Sequence, residues 1–181
     1  AHVIGTMSCT DSLFLVLKAL GVGEGDEIIT TPMSFVATAN AIEHCGARPV
    51  FVDVERDTGN MDAGLIEAAI TNRTKAIIPV HLYGQMCDMG AIAEIARRNN
   101  LPIIEDSAHC LEGMRSGSRP GAHSHAACFS FYATKNITSG EGGAIATNND
   151  DFASYLRKMR LHGLNADAIN RYTGSFRHFD M

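Results

Sequence analysis

Three short stretches hold residue types that could do chemistry together. In LPIIEDSAH, Ile103 and Ile104 run straight into Glu105 and Asp106, and His109 follows three positions later. A carboxylate at the end of a buried strand is costly to leave unpaired, so it should meet a cation or a strong donor. Read alone, Asp106 serves equally well as a helix N-cap. In FSFYATKNITSGEGG a strand delivers Ser130, a short polar stretch presents Lys135, and a turn with Glu141, Gly142 and Gly143 follows. Most lysines are solvated surface charges. Partial burial between an apolar strand and a glycine-rich loop would instead favour a nucleophilic amine. In SCTDSL, small residues open an amphipathic helix carrying Leu13, Leu17 and Leu20. The free amides of its first turn would form a phosphate site with the Thr10 hydroxyl as an extra donor, and ordinary capping by Thr10 is the rival reading.

The elements that must position these residues alternate between β-branched runs and helical patterns, the sequence form of an α/β unit with a mostly parallel sheet. The runs are EIIT (27–30), RPVFVDV (48–54), KAIIPV (75–80), LPIIED (101–106), AACFSF (126–131) and GAIAT (143–147). Ligands in such a sheet collect at the carboxyl ends of strands, where Asp106 and Ser130 fall. Ser34 is the expected cap of a helix through Phe35, Thr38, Ala41 and Ile42 that Gly46 ends. Asp62 and Asp88 are expected to cap the next two helices, and a last helix is expected near 150–162, after Asn148 and Asn149 and before Gly163. No linker or repeat divides the chain.

Composition narrows the function classes. With 181 residues, 45% hydrophobic and 19% charged, the chain reads as globular with one sizeable core. A net charge of -5 with scattered basic residues gives no footprint for nucleic acid. No apolar run reaches the roughly 20 residues of a membrane span. Five cysteines, an odd number without a C-x-x-C pair, fit reduced thiols in the cytoplasm. Eight histidines invite a zinc hydrolase, but no H-E-x-x-H or C-x-x-C spacing supports one. Gly21, Gly23 and Gly25 follow a helix and precede a strand, the reverse of a dinucleotide fingerprint.

An amine for an aldehyde, a carboxylate for a pyridine nitrogen and a phosphate cradle are together the parts that pyridoxal 5'-phosphate (PLP) requires. The stretches SCTDSL, TPMSFVATANAI, PVFVDV, KAIIPVHLYGQ, IIEDSAH, CFSFYATKNITSGEGGAIATN and LRKMRLHG, in that order over nearly the whole chain, resemble the sugar aminotransferases of the DegT/DnrJ/EryC type. The resemblance implies the large domain of a fold-type-I PLP transferase, with helices on both faces of the sheet. It implies that residues 1–181 are a fragment cut at both ends, the smaller C-terminal domain being absent. Lys135 would be the Schiff-base lysine and proton shuttle, and Asp106 would pair with the ring nitrogen. His109 would touch the ring hydroxyl and Phe35 would stack on the ring. Thr10, the Asp11 amide and Ser130 would hold the phosphate.

The implied reaction moves an amino group from an amino acid, glutamate by family habit, to a nucleotide-linked keto-sugar, in a cytoplasmic homodimer. His109 with KNITSGEGG, and the similarity through LRKMRLHGLNADAINR, resemble members that aminate C4; those acting at C3 more often carry Gln at the His109 position and a Gly-Asp-Gly-Gly turn. Cys9 stands where relatives have a smaller residue, and 112–126 departs from the usual text. Two other readings remain: a sugar dehydratase, in which a histidine replaces the lysine, and a non-enzymatic PLP-binding regulator.

Overall fold

The computed structural model describes residues 1–164. The stretch 165–181, with the end of the LRKMRLHGLNADAINR similarity and the RHFDM terminus, lies outside the described residues.

The strands are β1 (His2–Thr6), β2 (Glu27–Thr30), β3 (Arg48–Phe51), β4 (Thr74–Ile77), β5 (Ile104–Asp106), β6 (Ala126–Ser130) and β7 (Gly143–Thr147). The helices are α1 (Cys9–Ala19), α2 (Ala37–His44), α3 (Ala63–Ala69), α4 (Met89–Arg98) and α5 (Asp150–Met159). Two ladders, β3-β2-β4 and β1-β7-β6-β5, are joined by parallel bridges between Ile77 and Ile103 and between Val80 and Asp106. Among the described residues this gives the order β3-β2-β4-β5-β6-β7-β1, in which β7 alone runs opposite to the other six.

Every strand run expected from sequence is present, most of them shorter. The run 48–54 pairs as a strand only to Phe51, and Val54 then bridges Met61. The run 75–80 pairs through Ile77, and Val80 forms the bridge to Asp106. Strand β1 carries no such expectation. HVIGT is short and mixed in polarity, and it becomes a strand by pairing antiparallel with β7, from His2 opposite Thr147 to Thr6 opposite Gly143. Tertiary pairing of this kind overrides local propensity.

Period-two alternation sends neighbouring strand residues to opposite faces. Ile28, Ile78, Ile104, Cys128 and Ile145 meet α1, α2 and α5 on one face, through Leu13, Val16, Leu17, Ile42 and Leu156. Ile29, Ile77 and Ile103 meet α3 and α4 on the other, through Ile66, Ile92 and Ile95. Helices therefore cover both faces, each fully buried Leu or Ile contributing about 1.5–3 kcal/mol. No helix of the described residues is long and apolar enough to cross a membrane.

Two expected caps are present, Asp62 accepting the Gly64 amide and Asp88 the Ala91 amide, and of the two asparagines before the last helix it is Asn149 that accepts the Phe152 amide. Two expected caps are different residues. The α1 cap is Ser8, whose extended backbone lets its hydroxyl accept the Asp11 amide, while Thr10 is already helical. At α2 the cap position is Val36, with no side-chain bond, and Ser34 spends its hydroxyl on Thr38 at 2.7 Å. Gly46 (φ 86°) ends α2 and Gly163 (φ 74°) follows α5, as the left-handed conformation requires.

Candidate functional site

A cleft of about 450 Å³ opens at the carboxyl ends of β5 and β6. Thr10, Phe35, Asp106, His109, Ser130 and Lys135 all line it, together with Cys9, Thr38 and His81. Asp11 does not line the cleft; its amide donates to the Ser8 hydroxyl at 3.1 Å.

Asp106 is 5% exposed, and the donors it requires are neutral. Its Oδ2 accepts from the Thr38 hydroxyl at 2.7 Å, and its Oδ1 accepts the Ala108 amide at 3.1 Å. Its backbone continues the sheet, accepting from the His81 amide and donating to the Pro79 carbonyl. Thr38, read in sequence only as one of the residues the second helix runs through, is the side chain that meets it.

The neighbouring Glu105 faces the other way into a separate network. It is fully buried, and its Oε2 lies 2.7 Å from Nε2 of the equally buried His81. The Cys87 amide donates to His81 Nδ1 at 3.2 Å, which puts the ring proton on Nε2 and makes His81 the donor to Glu105. Glu105 Oε1 accepts from the Gly121 amide and the Ser124 hydroxyl. This network ties the loop 112–126 to the floor of the site. No local signal in KAIIPVHLYGQ marks His81 as the partner of a glutamate 24 residues later.

His109 is half-buried and stacked on Tyr83, with ring centroids 5.8 Å apart and planes 5° from parallel. Burial first, and the Lys135 charge second, lower its pKa below the ordinary value, with Asp106 opposing. Tyr83 holds a left-handed backbone (φ 53°), uncommon for a bulky residue and costing about 1–3 kcal/mol. Such strain marks places where a side chain must be aimed.

Lys135 sits on the loop between β6 and β7. That loop closes on Phe131, whose carbonyl accepts from the Ser139 amide and the Thr138 hydroxyl, while its amide donates to Gly142. The Lys135 amide donates to the Tyr132 carbonyl at 2.9 Å. The hairpin then passes the start of α1 so closely that a Cβ on Gly143 would lie 2.5 Å from the Ser8 carbonyl oxygen and 2.7 Å from the Cys9 amide nitrogen. Glycine at 143 is what lets the lysine loop and the first turn of α1 share one cleft.

Phe35 is 74% exposed at the rim, not packed in a helix core. Ser130, half-buried at the end of β6, accepts the Tyr132 amide at 3.3 Å. Cys9 is buried with its Sγ 4.0 Å from Asp106 Oδ1; burial, then the charge of Asp106, pushes its thiol well up, so it stays protonated beside Lys135. The cleft thus combines an amine, a buried carboxylate, a half-buried imidazole, hydroxyls beside a helix N-terminus and an exposed aromatic face.

Residues 1–180 match the sequence profile of the DegT/DnrJ/EryC1/StrS aminotransferase family. The spore coat polysaccharide biosynthesis protein SpsC of Bacillus subtilis is 47% identical over 174 residues, 96% of this chain and 45% of that protein. The GDP-perosamine synthase of Caulobacter vibrioides is 48% identical over 171 residues, 94% of this chain and 46% of that protein. The crystal structure of NtdA from Bacillus subtilis with bound cofactor PMP superposes with a TM-score of 0.87 at 38% identity, covering 94% of this chain and 38% of that one. The chain therefore spans a little under half the length of the curated relatives it matches.

Proposed function

The chain belongs to the DegT/DnrJ/EryC1/StrS aminotransferase family, and on that premise we propose that the protein it is part of is a PLP-dependent aminotransferase of nucleotide-linked keto-sugars. The amino donor is an amino acid, glutamate by resemblance, and the amine goes to C4 of the sugar. The observation that carries this reading is the convergence of Thr10, Phe35, Asp106, His109, Ser130 and Lys135 on one cleft from four separate parts of the chain.

The residues present fit the cofactor. Gly143 leaves room for nothing larger where the lysine loop crosses the start of α1, and the first turn there, with the Thr10 and Ser130 hydroxyls, is a ready anion cradle. PLP, when bound, supplies an electron sink for the carbon that gives up or gains the amine. Lys135 would provide the amine that holds the cofactor, and the same amine is placed to move a proton at the substrate carbon. Asp106 meets the ring nitrogen with a charge-assisted hydrogen bond worth about 1.5–3 kcal/mol. His109, favoured neutral by burial and the Lys135 charge, offers the ring hydroxyl a donor or an acceptor according to its tautomer. Phe35 covers the ring face, a contact of about 0.5–1.5 kcal/mol beyond burial.

Borohydride reduction of the full-length protein loaded with PLP, followed by peptide mapping, tests the assignment. The label is expected on Lys135; a label on Lys18, Lys75 or Lys158 overturns it. The position of amination rests on His109 and the KNITSGEGG run. Glutamate offered with a UDP-4-keto-sugar and, separately, a dTDP-3-keto-sugar should yield a new amine at C4 by NMR, and amination only at C3 refutes that part alone. Five free cysteines, all buried, accord with a cytoplasmic setting.

A further inference from the structure

Asp106 is held by a second element as well as by its own strand. Thr38 lies in the first turn of α2, 2% exposed, and donates its hydroxyl proton to Asp106 Oδ2 at 2.7 Å. With its one proton committed there, its oxygen accepts from the Ser34 hydroxyl, also at 2.7 Å. Ser34 is half-buried and lines the same cleft, next to Phe35. The other carboxylate oxygen takes the Ala108 amide. Among the described residues no ion pair involves Asp106. A buried carboxylate without a cation depends on its neutral donors for both orientation and compensation of its charge.

We propose that Thr38, backed by Ser34, is the positioning residue of Asp106, fixing the carboxylate for the cofactor's ring nitrogen and coupling it to the segment that carries Phe35. This rests on the PLP reading above. The two hydroxyls form a chain in which Ser34 donates to Thr38 and Thr38 donates to Asp106, so that the placing of the 34–38 segment and the orientation of the carboxylate are tied together. Valine at 38 keeps the shape and removes the donor, whereas serine keeps the donor.

The test is a double-mutant cycle in the full-length protein, read as affinity for pyridoxamine phosphate. Thr38→Val should weaken binding about tenfold, the loss of one buried donor to a charged acceptor, and Thr38→Ser should stay within about twofold of the parent. In an Asp106→Asn background, where no charge is left to position, Thr38→Val should cost at most about twofold. An equal loss in both backgrounds means that Thr38 only packs, and overturns the inference, as does no loss in the parent. Should Thr38→Val not fold, Ser34→Ala takes its place, with a loss of about twofold to threefold expected in the parent and none beside Asp106→Asn; equal behaviour in both is again fatal. A parent that does not bind pyridoxamine phosphate brings down the PLP reading itself, an outcome distinct from a parent that binds and a Thr38→Val variant that binds equally well.

Discussion

At the scale of the residue, Asp106 shows how burial and chemistry divide. Its side chain is committed to Thr38 and Ala108 on one side and lines the cleft on the other. Replacing it with alanine would orphan the buried Thr38 hydroxyl, at about 1–3 kcal/mol, together with the half-buried Ala108 amide, and confuse folding with function. Asp106→Asn keeps the shape and an acceptor oxygen. It is expected to leave the urea midpoint nearly unchanged while slowing the half-reaction with glutamate at least tenfold, about the worth of one charge-assisted bond. A half-reaction at the parent rate would show that the carboxylate does not serve the ring nitrogen.

At the scale of the element, the β6–β7 hairpin and the start of α1 meet at one glycine. Gly143→Ala puts a methyl group against the Ser8–Cys9 peptide, which is backbone and cannot swing away. Such overpacking costs about 1–3 kcal/mol. Because the displaced atoms belong to the anion cradle, affinity for pyridoxamine phosphate should fall together with the urea midpoint. Leu17→Ala, by contrast, truncates the buried face of α1 away from the cleft and should cost about 2–5 kcal/mol of stability. Comparing the two variants separates a general weakening of α1 from a displacement of the site; a Gly143→Ala protein that loses stability but binds normally would deny the cradle its role.

At the scale of the whole molecule, the end of the sheet away from the cleft carries a charge cluster that contributes to acid stability. Glu27, buried at the start of β2, accepts from Thr71, Arg73 and Arg48, and these bonds, Thr71 foremost, hold its pKa at about 2 against burial. A depressed carboxyl contributes stability that is complete above its unfolded value, near 4.5, and is lost as pH falls through about 2. Glu27→Gln should therefore be less stable than the parent at neutral pH, with the difference shrinking between pH 4.5 and 2 in urea titrations; a difference independent of pH would refute the assignment. Around the cleft, Met33, Phe35, Val36, Tyr83 and Tyr132 are all exposed. An apolar rim of this kind fits the homodimer that the family resemblance implies, and sedimentation of the full-length protein as an active monomer would refute that implication.

Much of this was legible in the linear sequence because its signals are local. The β-branched runs, the caps Asp62, Asp88 and Asn149, and the glycine stops depend on residues within a few positions of each other, and period-two alternation alone sorts Ile28 from Ile29. The motif order carried the family and the group of side chains around Lys135. What only the tertiary structure decided involves partners far apart in the chain. Strand β1 exists because β7 reverses and offers it an edge, and Thr38 reaches Asp106 across 68 positions. His81 finds Glu105, and Gly143 meets Ser8, in the same way. Ser8 rather than Thr10 caps α1, and Val36 rather than Ser34 stands at the start of α2, because a hydroxyl goes to whichever donor or acceptor the fold brings nearest, and spacing along the chain does not encode that distance.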